Sequence, residues 1–89
     1  MDKIVLDLTG CKYVRQIHRV IKETFDFPDF YGGNFDAMWD CMRDYCEDMD
    51  VSIKGLSTLP KEFDDFSKTM LEIFEMVSKE NNFTFSVIS

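Results

Sequence analysis

Three aspartates, Asp36, Asp40 and Asp44, recur at every fourth position in the middle of this 89-residue chain. On a helix that spacing sets them in one column. Carboxylates grouped this way can act as general acid and base, ligate Mg²⁺ or Ca²⁺, or present negative charge to a basic partner. Acid–base chemistry needs a nucleophile or a further base, and candidates are scarce. His18 is the sole histidine and shares a helical face with Val14 and Ile21, which reads as a packed, hydrogen-bonded core histidine rather than a catalytic one. Cys11, Cys41 and Cys46 are odd in number, form no C-x-x-C pair and have no nearby histidine, so reduced thiols are expected and no zinc site is indicated. Gly32-Gly33 ahead of Asn34 reads as turn chemistry, not a phosphate-binding loop. The expectation is a non-enzyme with no catalytic residue, no metal and no cofactor. What is left for the aspartates is a basic partner, or the plainer role of a solvated face whose repulsion salt screens.

The elements that must hold these residues are legible. Lys3–Leu8 is short and aliphatic and predicts a strand, ended by Thr9-Gly10. From Tyr13 to Phe25, Val14, Ile17, Ile21 and Phe25 recur at helical spacing opposite Arg15, Arg19 and Lys22, and Pro28 bars continuation. Residues 26–33 form an aromatic-rich loop, and Asn34 is a good N-cap for a helix from Phe35 to Asp44 or Tyr45. A short strand is expected at Val51–Lys54. Leu59, Phe63, Phe66, Met70, Ile73 and Val77 then step by 4 and 3 alternately, which predicts one long helix from about Pro60. Asn81-Asn82 reads as its left-handed stop. Phe83–Ile88 predicts a last strand. The order β-α-α-β-α-β calls for a small parallel sheet, since parallel neighbours need helical crossovers.

On the helical wheel Phe35, Met38, Cys41 and Met42, with Tyr45 and Cys46 if still helical, share the core arc. The aspartates lie opposite, Arg43 lies beside Asp36 and Asp40, and Trp39 stands at the border. Like charges at i, i+4 cost a helix about 0.2–0.5 kcal/mol each, and Asp44 also meets the unfavourable end of the helix dipole. The column therefore works against its own helix. Phe30, Tyr31, Trp39 and Tyr45 flank it, and aromatics beside charges are the usual makeup of interface anchors.

Composition agrees. The net charge is −7, and residues 26–50 alone carry −7, while residues 1–25 carry +2 and residues 51–89 carry −2. A nucleic-acid binder needs a basic face, so direct nucleic-acid binding is not expected. With 45% hydrophobic residues, the chain is one folded domain over residues 1–89. Neither a signal peptide nor an 18-residue apolar run is visible, which predicts a cytoplasmic protein that does not engage a membrane.

The run Phe27-Pro28-Asp29-Phe30-Tyr31-Gly32-Gly33-Asn34-Phe35-Asp36-Ala37-Met38-Trp39-Asp40-Cys41 closely resembles the barstar family, intracellular inhibitors of barnase-type ribonucleases. The likeness extends from the opening strand to a final strand ending in Ser89. It implies a three-stranded parallel sheet packed against helices, and a binding surface made of the loop and the middle helix, whose carboxylates stand in for substrate phosphates in the enzyme's active site. Carried over, Asp40 is the central phosphate mimic and Asp36 the second acidic contact. Phe30, Asn34 and Trp39 fall on contact or border positions, Tyr45 matches an interface aromatic, and Glu80 a peripheral acid. Tyr31, Gly32, Arg43 and Asp44 complete the expected partner-binding set. The implied partner is a basic, extracellular-type ribonuclease bound 1:1 by a protein that is monomeric when free. Arg43 and Asp44 stand where the family has a small hydroxyl residue and a glycine, Phe30 replaces a tyrosine, and Met76 replaces a glutamate. The alternative reading is an acidic module for a basic partner with no nuclease activity.

Overall fold

The computed structural model describes residues 1–88. The expected strand end at Ser89 lies outside the described residues. Strand β1 (Asp2–Asp7) leads to helix α1 (Val14–Phe25), then α2 (Phe35–Tyr45), β2 (Met49–Lys54), α3 (Asp64–Glu80) and β3 (Phe83–Val87). The three strands form one parallel sheet in the order β1-β2-β3. The α/β class and the β-α-α-β-α-β order are those expected, and the strand and helix limits differ by one or two residues except at α3.

Alternation along the strands sorts the sheet into two faces. Ile4, Val51 and Phe85 lie side by side in register, as do Leu6, Ile53 and Val87. Leu6, Val51, Ile53 and Phe83 are buried and meet the helices: α1 packs on β1, α3 on β3, and α2 on α3. Lys3, Val5, Asp7, Thr84 and Ser86 point the other way and are exposed. Phe74 sits at the centre, edge-on to Phe25, Phe83 and Phe85.

The predicted unbroken last helix is corrected. Between β2 and α3 the chain makes two 3₁₀ turns, Leu56–Thr58 and Lys61–Phe63, and the α-helix proper begins at Asp64. The reason is local. Leu59 precedes Pro60, whose ring disfavours the helical region for its predecessor, and both residues are extended, with ψ of 147° and 143°. Leu59 and Phe63 still pack against the core, so the apolar stripe is real but begins in the 3₁₀ region ahead of the 17-residue α3. The stop is corrected too. Asn81 is extended (φ −112°, ψ 161°), not left-handed, and its side chain has a different task, described below.

Candidate functional site

Helix α2 is seated by one face. Met38, Cys41 and Met42 are buried, as is Cys46 just past the helix end, whose thiol burial pushes up to about 12. Asn34 caps the start: its side-chain oxygen accepts the Ala37 N–H at 2.8 Å, satisfying one of the helix's free donors. The end is tied to α3. The Asn81 side-chain amide donates to the Arg43 carbonyl at 2.9 Å and to the Cys46 carbonyl at 2.8 Å. The last four carbonyls of an α-helix lack intrahelical partners by construction, and Asn81 takes up two carbonyls at that end. The same link sets Glu80, the exposed last residue of α3, at the C-terminal end of α2.

The opposite face holds the charge. Asp36, Asp40, Arg43 and Asp44 are all exposed. Trp39 is half-buried at the border, and the Arg43 guanidinium lies over its ring, 5.5 Å from the centroid. That stacking is a cation–π contact. It draws the one cation of this face onto the tryptophan, and among the described residues no cation lies within ion-pair distance of Asp36, Asp40 or Asp44.

The loop before α2 is held from beneath. The Phe27 N–H donates to the Lys22 carbonyl at 2.9 Å, the Tyr31 N–H to the Pro28 carbonyl at 3.0 Å, and Lys22 pairs with Asp29 at 3.1 Å. Phe27 is buried against Phe25 and Tyr31. Gly33 turns through φ +66° into the cap. These ties leave Phe30 at the loop's crest, 76% exposed, with Gly32 and Asn34 also exposed. Tyr45, placed on the core arc by the wheel, is instead 46% exposed as the helix ends, its ring near Phe27.

Tyr31 requires a correction. It was expected among the aromatics that border the carboxylates, but its ring is turned inward and is only 9% exposed. Its hydroxyl meets His18 Nδ1 at 2.6 Å, and burial pushes its ionisation above the ordinary tyrosine value. His18 is the core histidine expected: 6% exposed, set edge-on to Phe66 and near Phe35, with burial lowering its proton affinity. Sequence reasoning missed this bond and the role of Asn81. Neither leaves a local signal, because each joins residues far apart along the chain.

The surface as a whole is a convex acidic helix face with Phe30, Trp39 and Tyr45 around it, on an element fixed at both ends. Among the described residues, no group of three or more His, Cys, Asp or Glu side chains is placed to hold a metal ion, and no helix is long and apolar enough to cross a membrane. The family described as "Barstar (barnase inhibitor)" matches residues 1–88. The chain belongs to the barstar family. A relative from Bacillus subtilis (strain 168), named "Putative ribonuclease inhibitor YrdF", is 27% identical over 89 residues, covering 99% of this chain and 98% of that protein. The barstar family's description names inhibitors rather than enzymes, and its members' role implies a ribonuclease partner.

Proposed function

We propose that this barstar-family chain is a cytoplasmic inhibitor of a small basic ribonuclease of the barnase-like, extracellular type, binding it 1:1 and blocking its active site with α2 and the loop before it. The observation that carries the reading is the exposed column Asp36, Asp40, Asp44, bordered by Phe30, Trp39 and Tyr45, on a helix fixed at both ends. A ribonuclease must gather cations to hold RNA phosphates. Carboxylates held in a fixed row offer those cations a substitute that has no bond to cleave. Because the helix is already ordered, little entropy is lost when it docks. Asp40, at the middle of the column, takes the central contact, with Asp36 beside it, Asn34 and Gly32 at the loop edge, and Asp44 and Glu80 at the rim. Tyr31 acts from below by holding the loop. The free protein is a monomer and binds neither nucleic acid nor membrane through this face.

Titrating the purified protein into a panel of small basic ribonucleases tests this. Hydrolysis of an RNA substrate should fall linearly to an end point at one inhibitor per enzyme for at least one of them. Undiminished hydrolysis across the panel would sink the proposal. A second reading, a basic partner without nuclease activity, is favoured by Arg43 stacked on Trp39 and by Met76, 45% exposed on α3. It predicts a complex with such a partner that forms with no loss of any ribonuclease activity.

A further inference from the structure

The side of the molecule built from α1 carries the opposite charge, and the inhibitor reading makes no use of it. Arg15, Arg19 and Lys22 line one shallow depression of about 290 Å³ together with the His18 ring, Tyr31 and Gly33. In α1 the three cations stand at i, i+4 and i+7, one column on one face. Lys22 is neutralised by Asp29. Arg15 and Arg19 have no carboxylate within 4 Å among the described residues, although Glu23 also lines the depression and the chain carries 17 acids against 10 bases. Arg15 rests on the Tyr13 ring, 5.9 Å from its centroid. Two like charges one turn apart weaken a helix, so leaving both unpaired in so acidic a chain is a cost to the apo protein. His18 adds a donor. When the Tyr31 hydroxyl donates to Nδ1, the ring proton sits on Nε2.

We propose that this depression is an anion site for a phosphate group, clasped by Arg15 and Arg19 from α1 and closed by the Tyr31–Gly33 stretch of the loop. Its volume lies just below the roughly 300–1,000 Å³ range of small-molecule clefts, which suits a small anion such as inorganic phosphate or the phosphate end of one nucleoside monophosphate. Guanidinium groups match phosphate because their fork of N–H donors meets two oxygens at once. The site lies on the α1 side of the loop, and none of its cations belongs to the acidic face.

The test is a ¹H–¹⁵N NMR titration of the full chain with sodium phosphate, against sodium chloride at matched ionic strength. Saturable shifts of the Arg15 and Arg19 Nε–H groups and the Gly33 amide are expected, with a Kd on the order of 1 mM. The exposed-site variant R15Q/R19Q should weaken binding at least tenfold while melting at or slightly above the wild-type temperature, and R19Q alone should weaken it severalfold. Adenosine monophosphate forms the second arm. Binding tenfold tighter than phosphate assigns the site to a nucleotide, and equal binding assigns it to free phosphate. Shifts that do not saturate, that chloride reproduces, or that survive in R15Q/R19Q would overturn the proposal.

Discussion

Asp40 shows how function and stability pull apart at a single residue. It stands between Asp36 and Asp44 in α2, exposed, with like charges one turn away on both sides. Removing it relieves repulsion worth about 0.2–0.5 kcal/mol per neighbour, so Asp40→Ala should melt at the wild-type temperature or slightly above. In the proposed complex the same change strands desolvated cations on the partner. The expected loss is about 2–5 kcal/mol of affinity, mostly as faster dissociation, a range for which barnase–barstar is itself a reference case. Surface plasmon resonance and a thermal melt on one sample measure both effects, and an unchanged affinity would remove Asp40 from the site. His18 gives a residue-scale prediction of the other kind. Burial lowers its proton affinity below the ordinary value of 6.5, so the unfolded chain takes up a proton before the folded one does. Stability should therefore fall as pH drops through 6.5 toward the folded-state value. His18→Gln should flatten that part of the urea-denaturation profile. It should also cost about 1–3 kcal/mol at pH 7, because the buried Tyr31 hydroxyl loses its partner.

At the scale of elements, the packing around Gly55 is the most demanding. Gly55 ends β2 in the left-handed region at φ +83°, and a Cβ there would come within 2.4 Å of the Thr9 backbone nitrogen. Thr9 is itself fixed where the chain leaves β1, its N–H donating to the Asp7 carboxylate at 3.0 Å. Gly55→Ala combines left-handed strain with overpacking against backbone, and a loss of about 2–4 kcal/mol is expected from equilibrium unfolding. This close approach shows what the sequence does and does not disclose. Each helix and strand is written in local periodicity, and the Asn34 cap and the Leu59–Val77 stripe are legible because their partners lie a few residues away. Gly55 against Thr9, Asn81 against the end of α2, and Tyr31 beneath the loop depend on how finished elements meet. The break before α3 lies between the two cases. The apolar pattern favours continuity, while the local rule that a residue before proline leaves the helical region is stronger, and the α-helix starts only at Asp64. The acidic face was readable as a column, but its aromatic border was not fully so, because a tyrosine in a loop carries no mark of the side it faces.

For the whole molecule, shape and charge distribution decide how a partner arrives. The radius of gyration is 12.0 Å, against about 12 Å expected for a chain of this length, and the extents of 31 × 28 × 19 Å set opposite faces roughly two to four screening lengths apart at physiological salt. The net −7 is concentrated in residues 26–50, and residues 1–25 carry +2, so the protein has an electric direction as well as a charge. A basic ribonuclease approaching it is turned toward α2 before any contact forms. Association should then slow steeply with added salt while dissociation changes little. Moving charge off the site should separate the two rates. Asp50 lies in β2, half-buried and accepting the Thr84 hydroxyl at 3.0 Å, away from the exposed column yet part of the same field. Asp50→Asn should lower the association rate and flatten its salt dependence with dissociation unchanged, whereas Asp40→Ala should raise the dissociation rate at every salt concentration. Stopped-flow mixing with the inhibited ribonuclease at several ionic strengths distinguishes them. If association proved insensitive to salt, the concentrated charge would have no part in capture, and contact at α2 alone would have to account for binding.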